Sequence, residues 1–181
     1  MLPKWAFGYI QSQERYETQQ QIIDTAKEYR KRAIGLDGIV LDWCSWEEGL
    51  WGQKSFDRQR FPQPSQMLRK LHEEHIHFML SIWPNMDEQT GNYREFEKNG
   101  LLLPGCNIYN ALSDKGRSLY WKQIKEGLPY RDIDAWWCDS SEPFTPEWMR
   151  SNRTEPAKMY EEFCRTAALH LPAEELNAYS L

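Results

Sequence analysis

Long apolar runs are missing from this chain: nowhere do 18 or more apolar residues stand together. A membrane-spanning helix is therefore not expected, and neither is a membrane partner. Cysteine is scarce as well. The four, at 44, 106, 138 and 164, form no Cys-x-x-Cys pair, which removes a zinc ribbon or a dithiol redox site; free, buried thiols are expected. Excess positive charge is lacking too. A net charge of −5 argues against a nucleic-acid surface. No Gly-x-x-x-x-Gly-Lys and no Gly-x-Gly-x-x-Gly follows any candidate strand, so phosphate and dinucleotide binding have no support. Ser140-Ser141 lacks the flanking glycines of a nucleophile elbow.

Aromatics, by contrast, abound. Nine tryptophans and nine tyrosines in 181 residues exceed ordinary core needs and suit a site for sugars or other rings. The apolar content of 40% is enough for a real core. The length is short for a complete eight-stranded barrel, which takes about 250 residues.

Along the chain, strand-like and helix-like patterns alternate. Strands are expected at Trp5–Ile10, Gly38–Trp43, His77–Trp83 and Ile133–Cys138. Between them, helical spacing appears behind a Thr18/Gln21 capping box, with Gly35 placed to end that helix. It returns from Met67 to His75, around Tyr93–Asn99 with Gly100 closing, at about 114–126, and at Glu155–His170. Gln11–Tyr16 and residues 44–63 read as loops. The fold class is α/β: about four βα units with parallel strands, or half of a (β/α)8 barrel.

The carboxylates then fall into place. Asp42 ends the second strand and Asp139 ends the fourth, so a parallel sheet puts both on one rim, where such folds hold their chemistry. Asp37, at the start of its strand, faces the other rim and reads as structural. Asp139 could equally cap the turn that follows it. Paired carboxylates suit glycoside hydrolysis, and they also suit a Mg²⁺ or Ca²⁺ site. Against a metal, the third strand ends in Trp83-Pro-Asn85 with no further carboxylate. His72, His75 and His77 lack the spacing of a zinc helix and are expected to be solvated or capping.

Trp137-Cys-Asp-Ser-Ser-Glu-Pro143 resembles the nucleophile signature of glycoside hydrolase family 31, a strand-four Trp-x-Asp followed shortly by Glu-Pro. Lys4 to Tyr16 is similar to the first barrel strand of its α-xylosidases and α-glucosidases. Leu36 to Trp43 is similar to the second strand, and Pro172 to Leu181 to the helix before the fifth. The resemblance implies that the chain is the first half of a catalytic barrel, with Asp139 as nucleophile of a retaining, exo-acting α-glycosidase. It gives Asp42, Trp137 and Trp83 to sugar binding, and it implies an oligosaccharide or glycoside substrate with neither cofactor nor catalytic metal. The acid/base Asp would lie beyond Leu181, so this stretch alone is expected to be inactive and to self-associate through exposed barrel edges. A non-catalytic carbohydrate-binding half-barrel, or a degenerate family member, is the alternative.

Overall fold

The computed structural model describes residues 2–103 and 106–140. Within them, four parallel strands form one sheet in chain order: β1 (Ile10–Gln13), β2 (Gly38–Leu41), β3 (His77–Ile82) and β4 (Ala135–Cys138). Helices α1 (Gln19–Lys31), α2 (Pro64–Glu73), α3 (Gly91–Lys98) and α4 (Asp114–Gly127) fill the connections. This is the succession of βα units expected of half a barrel. The helix expected at Glu155–His170 and the segment Pro172–Leu181 lie outside the described residues.

The register sorts side chains into two faces, because neighbours along a strand point opposite ways. Ile39, Leu41, Phe78, Leu80, Ile82 and Trp136 share one face. The first five belong to the core, built with Ile22, Ile23 and Ala26 of α1 and Met67, Leu68 and Leu71 of α2, and Trp136 packs against it. Each such side chain taken fully from water contributes about 1.5–3 kcal/mol. Val40, Met79, Ser81, Ala135 and Trp137 occupy the other face, turned away from the helices.

Local chemistry explains where the helices begin and end. The Thr18 hydroxyl accepts from the Gln21 amide at 3.2 Å and the Gln21 side chain accepts in return, the reciprocal box read from the sequence. Pro64 opens α2, where its missing N–H costs nothing. The stops differ from expectation. Gly35 does not end α1: Ala33 takes a left-handed φ of 55°, and the Ile34 amide reaches back to the Tyr29 carbonyl. His75 does the same after α2, at φ 55°, with Ile76 bonded to Leu71. These back-bonds satisfy terminal carbonyls and outweigh the cost of a left-handed non-glycine, about 1–2 kcal/mol. Gly100 does close α3 in that conformation, at φ 62°.

The first strand is also displaced. Lys4–Phe7 forms a short 3₁₀ turn, and β1 begins only at Ile10. Asp37 is the reason: its carboxylate accepts from the Tyr9 amide at 2.9 Å and fills the space that a side chain on Gly8 would need. Asp37 is thus structural, as read. The polar stretch Ile10–Gln13 becomes a strand because β2 supplies its ladder, while Gln11 accepts from the Tyr9 and Tyr29 hydroxyls.

Candidate active site

Both carboxylates emerge at the same end of the sheet. Asp42 directly follows β2 and Asp139 directly follows β4, whose exit is held by the Asp139 amide donating to the Ile82 carbonyl at 3.0 Å. Continuing the register, Asp42, Ser81 and Trp137 stand at one level, with Trp83 and Asp139 one step further out. All five fall on the face turned away from the helices. That face is the interior side of a barrel, and this end is where barrel enzymes carry chemistry.

Electrostatics link the two acids. Burial pushes the Asp42 carboxyl above its ordinary pKa; the Trp43 amide, donating to it, opposes the shift, and the charges of Asp139 and Glu14 add to it. The two half-buried carboxylates therefore lie near enough to feel each other's charge.

Aromatic rings wall this rim. Trp137 is 38% exposed on the inner face, two residues before Asp139. Trp83 is only 6% exposed, and its indole packs T-shaped with Trp51, the ring centres 5.2 Å apart. Trp51, 36% exposed, is the outer ring of the pair and in turn tilts against Trp43 at 5.5 Å. Arg15 lies over Trp43, 5.4 Å from the ring centre, and its guanidinium donates to the Cys44 sulfur at 3.0 Å. Ser81 is buried between the acids, and its hydroxyl finds no partner among the described residues.

Trp51, Glu14 and Arg15 went unremarked in the sequence. Glu14 and Arg15 sit in a stretch whose polarity reads as loop. Trp51 is one aromatic among many in a loop without periodicity. Its only signal is the excess of tryptophan over core needs.

His75 is exposed and closes α2, as expected, but the other two histidines behave otherwise. His72 Nε2 and His77 Nδ1 lie 2.8 and 2.9 Å from the two oxygens of Asp134, which also accepts from the Phe78 amide at 2.8 Å. Neither ring is merely solvated or capping; both are held by one carboxylate, and Trp5 stacks on His77 at 4.5 Å. Asp134 immediately precedes β4, so this cluster lies on the rim opposite Asp42 and Asp139. Burial raises the Asp134 pKa, but the bonds from His77, Phe78 and His72 together bring it below its ordinary value. The thiols are free but less buried than expected: Cys44 and Cys106 are partly buried and Cys138 is exposed, and Cys164 lies outside the described residues. A cleft of about 470 Å³ bordered by Tyr9, Tyr29 and Ile34 holds none of the site residues.

Residues 1–180 match the family model of the glycosyl hydrolases family 31 TIM-barrel domain. The chain belongs to glycosyl hydrolase family 31. Among family 31 relatives, it is 41% identical over 145 residues to the alpha-xylosidase of Saccharolobus solfataricus, covering 80% of this chain and 20% of that protein. The family 31 alpha-xylosidase structure from Xanthomonas citri superposes with a TM-score of 0.74 at 41% identity, covering 79% of this chain and 17% of its own. One from a soil metagenome, complexed with xylose, gives 0.73 at 27% identity over 96% of this chain and 29% of that one. The chain spans about a fifth of the length of the curated family 31 relative from Saccharolobus solfataricus.

Proposed function

We propose that this chain carries the nucleophile side of the active centre of a retaining α-glycosidase, acting on α-xylosides ahead of α-glucosides. The observation that carries the reading is the placement of Asp42 and Asp139 on one inner rim, near enough for the charge of one to raise the pKa of the other. In the double displacement, the Asp139 carboxylate attacks the anomeric carbon and forms a glycosyl ester as the leaving oxygen takes a proton. Water then cleaves the ester, and two inversions restore the α configuration. Asp42 accepts hydrogen bonds from sugar hydroxyls, and Trp137, with Trp83 behind Trp51, offers ring surface to the sugar. The acid/base is a second carboxyl about 5–5.5 Å from the nucleophile across the scissile bond; none of the described carboxylates is assigned to it. The preference for xylosides rests on the alpha-xylosidases that share 41% identity with this chain.

Hydrolysis of 4-nitrophenyl α-xyloside and α-glucoside by the full-length enzyme tests this, with the product anomer followed by NMR. Faster turnover of the xyloside with retained configuration is expected. An inverted product would remove the double displacement, and sugar binding without turnover would favour a carbohydrate-binding protein. The same reading has the isolated 181-residue chain self-associate, since β1 and β4 each pair on one side only among the described residues.

A further inference from the structure

Lys54 belongs to the long loop between β2 and α2, yet it is only 3% exposed. A buried ammonium is costly unless the protein supplies partners. Here Nζ donates to the carbonyl of Gly52 at 2.6 Å and to that of Trp83 at 3.0 Å, and it lies 4.4 Å from the centre of the Tyr120 ring. The Tyr120 hydroxyl, from α4, donates to the same Trp83 carbonyl at 2.7 Å. One carbonyl at the exit of β3 thus receives two buried hydrogen bonds from two separate elements.

The backbone around Lys54 is equally fixed. Its amide donates to Asn92 Oδ1 at the start of α3, at 2.6 Å. A Cβ on Gly127, at the end of α4, would collide with the Lys54 carbonyl, and one on Gly52 would collide with that of Asn85. The Asp87 amide donates to the Trp51 carbonyl at 2.8 Å. Holding a loop in place by packing requires only an apolar side chain of similar length. An amine adds a directed grip on the carbonyl of the residue whose indole packs against Trp51.

We propose that Lys54 is a positioning residue of the rim: through the Trp83 carbonyl it sets where the Trp83 indole, and Trp51 against it, stand beside Asp42 and Asp139. What the rim binds rests on the glycosidase reading; the grip itself does not. Burial lowers the Lys54 pKa to about 7. Below that pH the ammonium attracts both carbonyls and the ring face; above it the neutral amine keeps two donors and loses the attraction to the ring. Of the groups packed on it, Trp83 and Asn92 do not titrate. Tyr120 stays protonated, because burial pushes its pKa well above the ordinary value.

The test is ¹⁹F NMR of the full-length enzyme carrying 5-fluorotryptophan, with the Trp83 signal assigned through Trp83→Phe. The wild-type signal is expected to shift with a midpoint near pH 7, and Lys54→Met to abolish that titration. On aryl α-glycosides, Lys54→Met is expected to lower kcat/KM by about 10-fold, mostly through KM, as for a misplaced binding surface. A Trp83 signal that is the same in wild type and Lys54→Met from pH 6 to 9 would overturn the proposal. Should Lys54→Met not fold, Lys54→Leu takes its place, and a Trp83 signal in that variant that matches wild type overturns the proposal too. Absence of hydrolysis with the Trp83 titration intact would refute the glycosidase reading and leave the grip standing.

Discussion

Trp43 and Ser140 occupy matching places: each directly follows a rim carboxylate, and each has a left-handed backbone, with φ of 57° and 52°. Neither is a glycine, so each conformation costs about 1–3 kcal/mol that the surroundings must offset. After Asp42 the chain turns away at Trp43 and leaves that carboxylate at the edge of the sheet, and Asp139 is followed by the same backbone conformation at Ser140. Strain of this kind concentrates at functional sites, and here it flanks the two residues assigned to the sugar.

Asp139→Asn is expected to cut turnover of an aryl α-glycoside at least about 10³-fold while circular dichroism stays unchanged. The amide is nearly isosteric but a poor nucleophile. Substantial residual activity would take the nucleophile role away from Asp139.

Asp42→Asn is expected to weaken the enzyme and strengthen the fold. Removing a charged acceptor from sugar hydroxyls should lower kcat/KM about 10- to 100-fold. The raised pKa of Asp42 means that its ionised form is less favourable folded than unfolded. That penalty is complete at neutral pH and disappears as the pH falls through the raised pKa. The variant should therefore melt about 1–3 °C higher at pH 7, with the advantage shrinking toward pH 4. A melting point below wild type at pH 7 would contradict the raised pKa of Asp42.

Asp134→Asn should do the reverse. The depressed pKa of Asp134 makes its ionised form a source of stability above the ordinary carboxylate range, lost as the pH falls through the depressed value. Because the side chain is 22% exposed, solvent screening reduces the effect, and a loss of about 1 kcal/mol at pH 7 is expected. Urea unfolding of both proteins at pH 7 and pH 3 checks this. The gap should narrow in acid, and a gap that widens would show that His72 and His77 draw no support from the charge.

Sedimentation velocity on the isolated 181-residue chain should show self-association that grows with concentration. Strand β1 offers one unpaired side and β4 the other among the described residues. A single monomeric boundary at every concentration would count against edge pairing.

Much of this was legible before any coordinates. The continuous apolar run Gly38–Leu41 announces a strand covered on both faces, and Asp42, which ends it, marks the rim. The Thr18 box is legible because its chemistry is local. What escaped depends on distant partners. Strand β1 is polar and exists through β2; Ala33 and His75 turn left-handed for the sake of carbonyls one turn back; Lys54 looks like any loop lysine until Trp83 and Tyr120 close around it. Likewise His72, His77 and Asp134 stand up to 62 residues apart, and only the sheet brings them together.

The close approach of Gly52 to Asn85 sets the unit by which this rim can be re-engineered. Since no side chain fits at Gly52 against that carbonyl, and Trp51 is bonded to Asp87, the loop after β2 and the exit of β3 interlock like two halves of a clasp. Grafting either loop alone from a relative would leave the clasp unmatched. Changes of specificity built here should travel as a pair, residues 44–63 together with 83–92, with Lys54 and Asn92 included.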